Sequence, residues 1–526
     1  MISRIKGLLT KIGAGRTGAG SNPNSGGNGV VTRFAPSPTG MMHIGGVRTA
    51  LYAYMWALKK GGTFILRIED TDTERQVEGS IEHIQKSLKW LGIDWKYGPD
   101  KPGPFGSCIQ SERLDTYKVY AQKLIDKGLA YPDPYTSEEL ESFRKMAEAE
   151  KRPFLYRKHR PAFADLPANS PERPKWDGSQ ALRFKVENPR RMKWHDVVRG
   201  DLEAGEEAVD DFILIKKDGY PTYNFAHIID DLMMGVTHIM RGEEFISSTP
   251  KFLALYEGLG ITPPTLVTLP PILRNDKTKK LGKRDGAKDI LEYEREGFLP
   301  DAMVNFLALV GWNPGTEQEV FSRTQLVEAF DLAQVQKSGG VFNEEKLRWM
   351  NKEHLKKVPK DEIAAEIKKR LDKSERVKDL GWNVTPETAA RIAPVVLERI
   401  EVYSDIDAML ADRDLDYYFS EPAYDALSLR WKDERDTAKT VEHLSSVKNI
   451  LNGLADSDWK EASIKEVVWP YAEKEGRGQV LWPLRYALSG KDKSPNPFTL
   501  ADILGKETTI RRIDEALKKC ADAPII

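Results

Sequence analysis

Two clusters of residues in this chain have the types and spacing for phosphate chemistry. The first is Met41-Met42-His43-Ile44-Gly45-Gly46, a histidine beside two glycines where a helical pattern begins. A helix N-terminus offers unpaired N–H groups and partial positive charge, and glycine lets a phosphate come close to the backbone. The histidine has two readings here: a residue that packs or caps its own helix, or a donor to a phosphate oxygen. The second cluster lies far downstream, in Asn275-Asp276-Lys277-Thr278-Lys279-Lys280-Leu281-Gly282-Lys283-Arg284-Asp285-Gly286, where five cations fall within the eight residues from Lys277 to Arg284. Such a run is either a solvated face or a flexible set of charges that gathers as an anion leaves. No acid–base dyad and no Ser/His/Asp constellation accompanies them. Asp70 and Asp72 are read as strand-end and capping acids rather than as a metal pair.

The elements that must hold these clusters are legible. Val30-Val31-Thr32-Arg33-Phe34 is a β-branched run that reads as a strand, closed by Ala35-Pro36-Ser37-Pro38-Thr39-Gly40. Apolar residues at Val47, Ala50, Leu51, Tyr54, Met55 and Leu58 predict a helix from about Gly45 to Lys60. Thr63-Phe64-Ile65-Leu66-Arg67-Ile68 is a second strand. Strand, helix, strand in this compass is a βαβ unit, whose ligands sit beyond the strand ends. Val236-Thr237-His238-Ile239-Met240 is a further strand, and Pro270-Pro271-Ile272-Leu273-Arg274 closes another before the lysine-rich loop.

The chain has 526 residues, room for about three or four domains. Hydrophobic residues make up 40% of it, enough for several cores, which excludes a disordered or fibrous protein. Lys+Arg number 79 and Asp+Glu 80, a formal net charge of −1, so nucleic-acid binding would have to come from local patches. Two cysteines, Cys108 and Cys520, are too few for a disulfide framework or a Cys-rich metal site. No run of about 18 apolar residues is present, so no membrane span is expected. Residues 1–29 read as a separate object. Ile2, Ile5, Leu8, Leu9 and Ile12 fall at helical spacing among Arg4, Lys6, Lys11 and Arg16, and no acid precedes Glu69. This is the pattern of an organelle transit peptide followed by a flexible linker, and mitochondrion is favoured over plastid because the stretch is short and serine-poor. Gly13-Ala14-Gly15-Arg16-Thr17-Gly18 fits the dinucleotide fingerprint, but no buried strand precedes it and it is rejected.

Taken together, the two clusters resemble the paired nucleotide motifs of class I aminoacyl-tRNA synthetases. Arg33-Phe34-Ala35-Pro36-Ser37-Pro38-Thr39-Gly40 with Leu66-Arg67-Ile68-Glu69-Asp70-Thr71-Asp72 closely resembles the bacterial-type glutamyl-tRNA synthetases. The likeness resumes at 219–250, 279–287, 342–350 and in Trp482-Pro483-Leu484-Arg485-Tyr486, so it spans nearly everything after the first segment. It implies an α/β Rossmann-like catalytic domain with an inserted α+β acceptor-binding domain, followed by a mainly helical stem-contact part and an all-α anticodon-binding region. The expected divisions are 1–29, 30–109, 110–218, 219–288, 289–359 and 360–526. The implied activity is glutamate–tRNA ligation: ATP-dependent formation of glutamyl-adenylate, then transfer to the terminal adenosine of tRNA(Glu). A monomer in the mitochondrial matrix is expected. Whether tRNA(Gln) is charged as well stays open.

A glutamate pocket needs a cation for the side-chain carboxylate, because glutamine has the same shape without the charge. The resemblance assigns Arg33 and Arg241 to glutamate, with Arg33 nearer its side chain. Phe34, Ala35 and Ser37 share that strand exit, Glu69 takes the ammonium, and Tyr223, Asn224, Phe225, Ala226 and His227 lie beside the substrate. The residues alone allow plainer roles: Glu69 as an ion-pair partner of Arg67 or Arg75, and Tyr223 as core. His43, Gly45, Gly46, Glu244, Lys280, Leu281, Gly282, Lys283 and Arg284 are implied to hold ATP, with His43, Lys280 and Lys283 catalytic and Mg²⁺ present. His227 stands where many relatives have Asn, Gly282 replaces a serine and Asp285 a histidine. Zinc is not expected, since Tyr131-Pro132-Asp133-Pro134-Tyr135 carries no cysteine. Lys368-Lys369-Arg370 is either a solvated face or a tRNA contact, and Trp482 with Arg485 is expected to offer an exposed aromatic to unstacked bases. The rivals are a small-substrate adenylyltransferase, for which the chain is too long, and a catalytically silent tRNA-binding paralogue, which His43, Lys283 and Glu69 speak against.

Overall fold

The computed structural model describes residues 29–277, 279–282, 288–432, 434 and 437–522. The expectations placed on residues 1–28 and on Lys283, Arg284 and Asp285 lie outside the described residues. The chain divides into two compact units, one made of residues up to Glu294 with Pro300–Leu347, the other of Arg295–Leu299 with Arg348 onward. The segment 289–359 is therefore split between them.

The first unit is built on a six-stranded sheet in the order β2-β1-β8-β9-β5-β6. Strand β1 (Val31–Phe34) is joined to β2 (Thr63–Leu66) through helix α1 (Ile44–Lys59), and the two strands pair in parallel. This is the βαβ unit expected from 30–68. On its other side β1 pairs in parallel with β8 (His238–Gly242), which pairs with β9 (Thr265–Leu269). The chain thus leaves β1 in one direction and returns beside it from the other, the switch point at which open α/β sheets bind ligands. The hairpin of β5 (Met192–Asp196) and β6 (Gly200–Ala204), expected inside the inserted domain, instead closes the edge of this sheet. The buried Asp196 fixes it there, accepting from the Thr268 hydroxyl at 2.6 Å and the Thr268 N–H at 3.1 Å.

The remainder of the insert is a three-stranded antiparallel sheet of β3 (Ala130–Pro132), β4 (Leu182–Phe184) and β7 (Phe212–Ile215), packed with helix α2 (Leu114–Asp126). Where a cysteine-rich knuckle is missing, aromatic rings and ion pairs hold the chain. Arg183 meets Asp133 at 2.5 Å, and the Tyr156 and Tyr131 hydroxyls donate to Asp133 and Asp211 at 2.7 Å. Two short strands, β10 (Ile272–Leu273) and β11 (Gly340–Val341), pair in parallel, and β11 interrupts the mainly helical part expected at 289–359. The second unit is helical throughout its described residues, from Lys360–Lys373 to Lys506–Ala521, around one continuous apolar core.

Candidate active site

Helix α3 (Tyr223–Met233) lies behind the switch point and explains why charges can be buried there. Its Ile228-Ile229-Asp230-Asp231-Leu232-Met233 stretch sets two carboxylates, both 0% exposed, among apolar neighbours. A buried charge persists only when paired and hydrogen-bonded. Each carboxylate is. Asp231 takes a two-pronged contact from Arg33, Nε at 3.1 Å and Nη2 at 3.4 Å, and a third bond from Arg67 Nη1 at 2.6 Å. Burial alone would push the Asp231 carboxyl up, but the guanidinium groups of Arg33 and Arg67 outweigh it and hold it at about 2. Asp230 receives Arg113 at 2.7 Å, Gln110 at 2.8 Å and the Tyr117 hydroxyl at 2.8 Å. Arg67, fully buried, also reaches Glu69 at 2.8 Å. Burial pushes the Glu69 carboxyl up, against the pull of Arg67 and Arg33.

In front of this network opens a cavity of about 1110 Å³. Its wall carries Arg33, Phe34, Ala35 and Ser37 from the end of β1, Glu69 from beyond β2, Tyr223 from α3, and Arg241 from β8. The other side carries His43, Gly45, Gly46, Glu244, Lys280, Leu281 and Gly282. The two clusters, remote in sequence, thus share one space. Glu69 pairs with Arg67 and still lines the cavity.

Four residues grouped with Tyr223 behave differently. Phe225 and Ala226 are 0% exposed and belong to the apolar core, and neither they nor Asn224 nor His227 line the cavity. The helical turn is the reason: only Tyr223, at its start, points outward from the strand ends. His227 instead stacks on the Tyr223 ring (centroids 4.6 Å apart, 15° between planes) and meets Phe252 edge-on. Its Nδ1–H donates to the Tyr223 carbonyl at 2.7 Å. Burial lowers its pKa to about 3, with Arg241 and Arg33 adding to the effect, so the ring is neutral at pH 7.

Arg241 differs from Arg33. It is 6% exposed, and the one hydrogen bond described for it goes to the Thr249 hydroxyl at 2.8 Å; no ion pair with a carboxylate is found for it among the described residues. Its Cζ lies 4.9 Å from the Phe252 ring centroid. Burial lowers its pKa and Arg33 adds to the effect, outweighing the opposite pull of Tyr223 and Asp231.

At the other end, His43 is the N-cap of α1. Its Nδ1 accepts from the Gly45 N–H at 3.1 Å, and a Cβ on Gly45 would fall 2.9 Å from the imidazole. With Nδ1 accepting, the neutral ring carries its proton on Nε2, as a donor. Capping and facing the cavity are one placement. Arg48, one turn on, is buried, donating to the Val310 carbonyl at 3.0 Å and to the Pro270 carbonyl at the end of β9. Lys280 pairs with Glu244 at 3.4 Å, and both side chains are more than half exposed. Asp70 accepts from the Ser111 N–H and hydroxyl, and Asp72 pairs with Arg75.

Sequence reasoning missed Asp230, Asp231, Arg48 and Thr249. Two adjacent acids inside an apolar helix are the signal that would have found the first pair.

Residues 29–349 match the family described as tRNA synthetases class I (E and Q), catalytic domain, and residues 343–517 match an anticodon binding domain. A glutamate–tRNA ligase of Clostridium botulinum is 40% identical over 497 residues, 94% of this chain and 99% of that protein. The chain belongs to the glutamate–tRNA ligases. Another of that name, from Chloroherpeton thalassium, is 40% identical over 503 residues, 93% of this chain and 97% of that one. The crystal structure of a glutamate–tRNA ligase from Elizabethkingia meningosepticum in complex with its amino acid aligns with TM-score 0.79 at 34% identity, covering 93% of this chain and 99% of that one. This member of the class I ligases therefore combines a Rossmann-like catalytic unit with a helical anticodon-binding one.

In the helical unit one expectation changes. Trp482 is half-buried rather than exposed, with its indole N–H donating to the Ser428 carbonyl at 3.1 Å and Trp431 5.3 Å away. Arg485 covers its ring at 4.9 Å. Each cation of Lys368-Lys369-Arg370 is paired with an acid, Asp372 for the first and Glu366 for the other two.

Proposed function

We propose that this ligase grips glutamate by its side-chain carboxylate between Arg33 and Arg241, its ammonium at Glu69, and its ring-facing side against Tyr223. The observation that carries the assignment is Arg241, a buried guanidinium with a hydroxyl and an aromatic ring for neighbours but, among the described residues, no carboxylate paired with it. Bound glutamate supplies that acid, whereas glutamine leaves the charge uncompensated. A hydrogen bond to a charged group contributes about 1.5–3 kcal/mol, enough for roughly ten- to a hundredfold discrimination.

ATP enters from the His43 side. The glutamate α-carboxylate attacks the α-phosphorus in line, forming the acyl–phosphate bond as the bond to the β-phosphate bridging oxygen breaks and pyrophosphate leaves. The ribose hydroxyl of the tRNA terminal adenosine then attacks the acyl carbon, and AMP departs. Neither step asks for a covalent enzyme intermediate, so positioning and neutralisation of charge carry the rate. His43 and the N–H groups at Gly45 and Gly46 steady the phosphates, and Lys280, with Lys283 and Arg284 from the same loop, meets the developing pyrophosphate. Among the described residues no group of three or more His, Cys, Asp or Glu could hold a metal ion. Mg²⁺ would be held by the ATP phosphates themselves and would supply neutralisation of their charge.

ATP–pyrophosphate exchange tests the reading. With tRNA(Glu) present, glutamate and not glutamine should support exchange, and no exchange with glutamate would leave only a silent tRNA-binding protein. tRNA affinity should fall steeply with salt, since phosphate contacts release counterions.

The mitochondrial role rests on the acid-free, basic, amphipathic start at residues 1–29. Fused to a fluorescent protein, that segment should carry it into mitochondria; a diffuse signal would refute the assignment. Charging of purified organellar tRNA(Gln) alongside tRNA(Glu) decides whether the enzyme also makes the misacylated form for later amidation.

A further inference from the structure

Arg33 and Arg241 sit at the ends of adjacent strands, yet the structure restrains them by different means. Arg33 is clamped by charge, with Asp231 on two of its nitrogens and the Met240 carbonyl on the third at 3.2 Å. Arg241 has no such clamp. Its described polar anchor is Thr249, the first residue of helix α4 (Thr249–Leu259), whose hydroxyl accepts from Nη2 at 2.8 Å. That hydroxyl donates in turn to the Phe245 carbonyl at 3.0 Å. The proton direction is therefore settled: with its hydrogen committed to Phe245, the Thr249 oxygen turns a lone pair to Arg241. Thr249 is 3% exposed, so water does not substitute for it freely. One turn along α4 is Phe252, with the Arg241 Cζ over its ring 4.9 Å from the centroid. A flat cation held over a ring and at one nitrogen by a hydroxyl has a fixed plane, which leaves its other N–H edge for a carboxylate.

We propose that Thr249 is a positioning residue that aims Arg241 at the amino-acid carboxylate and thereby sets the preference for glutamate over glutamine. The inference rests on the assignment of Arg241 to glutamate and extends it to a residue that does not line the cavity. Loss of the hydroxyl leaves a buried N–H of a charged group unsatisfied and frees the guanidinium to turn, so binding of the anionic substrate suffers while the phosphate end is untouched.

The test is tRNA-dependent ATP–pyrophosphate exchange with Thr249→Val, Thr249→Ser and Arg241→Ala. Thr249→Val keeps the volume and removes the hydroxyl. It should raise KM for glutamate roughly tenfold or more, change kcat by less than about threefold, leave KM for ATP alone and lower the glutamate-to-glutamine ratio by the same factor as KM. Thr249→Ser keeps the hydroxyl and should stay within about threefold of wild type in every parameter. Should Thr249→Val melt early, Thr249→Ala carries the same expectation without added bulk. A serine variant as impaired as the valine one overturns the proposal, because the hydroxyl would then not be the cause. Wild-type KM in Thr249→Val beside a strongly raised KM in Arg241→Ala also overturns it, while leaving Arg241 as the substrate ligand. Wild-type KM in Arg241→Ala would instead remove the reading on which it rests.

Discussion

The two ends of the cavity are built on opposite principles. At the glutamate end the charges are buried and interlocked: Arg33, Arg67, Glu69 and Asp231 are all less than 6% exposed and share five hydrogen bonds. At the nucleotide end the Lys280–Glu244 pair is more than half exposed and, among the described residues, stands alone. Choosing between two amino acids that differ by one charge demands fixed partners whose burial makes a wrong ligand costly. Stabilising a pyrophosphate that exists only as it leaves demands cations free to move toward it. The same residue type, a cation near a strand end, is thus rigid where it selects and exposed where it assists.

The comparison breaks hardest at Asp231. Asp231→Asn keeps the shape but leaves Arg33 and Arg67 buried without their shared anion. Breaking a buried pair costs about 3–5 kcal/mol. The variant should therefore unfold at markedly lower urea concentration and lose glutamate activation by at least about 10²-fold. A variant with wild-type unfolding would show that the network does not stabilise the fold.

The nucleotide end should respond in rate alone. His43→Ala removes a cap acceptor and the donor at the phosphates, and should lower kcat for exchange by about 10²-fold while tRNA still binds. Lys280→Ala, at an exposed position, should lower kcat roughly tenfold with no change in unfolding midpoint. Loss of stability in Lys280→Ala, or a loss confined to tRNA affinity in His43→Ala, would erase the contrast between the two ends.

What the sequence made legible follows the same divide. The βαβ unit, the His-Gly turn and the lysine-rich loop are local patterns, and β1, α1 and β2 lie within a few residues of where periodicity and β-branching place them. Arg33 and Arg241 stand where strands are read to end, but it is the family resemblance that singles them and Glu69 out from ordinary surface charges. The partners that orient them are not legible. Asp231 reaches Arg33 across 198 positions, Arg48 reaches Pro270 across 222, and no spacing rule reports such pairs. The run Tyr223 to His227 shows the complementary error: a contiguous stretch was assigned to substrate, but a helix turns successive side chains by about 100°, so it presents one of them to the cavity and buries the others. Trp482 fails for a similar reason, because nothing local says that Trp431 and Ser428 will cover it.

The finest test concerns His227, which lies one layer behind the glutamate end and should be silent in catalysis but not in folding. Its native pKa, about 3, is below the ordinary value near 6.5, so as pH falls below 6.5 the unfolded chain takes up a proton that the native one refuses. Stability should therefore drop on acidification, by about 1.4 kcal/mol from this residue between pH 7.5 and 5.5, with the loss continuing until pH approaches 3. Asp231, held at about 2, contributes nothing across that interval, because its native and unfolded forms are both charged there. His227→Asn should remove the increment, so that the stability of wild type falls more steeply than that of the variant below about pH 6.5 while the two run parallel above it. Meanwhile kcat/KM for glutamate should show no titration of this ring between pH 5.5 and 8. Equal pH slopes in the two proteins would mean that the ring is hydrated and charges in place, and the rigidity attributed to the glutamate end would then stop at its first layer.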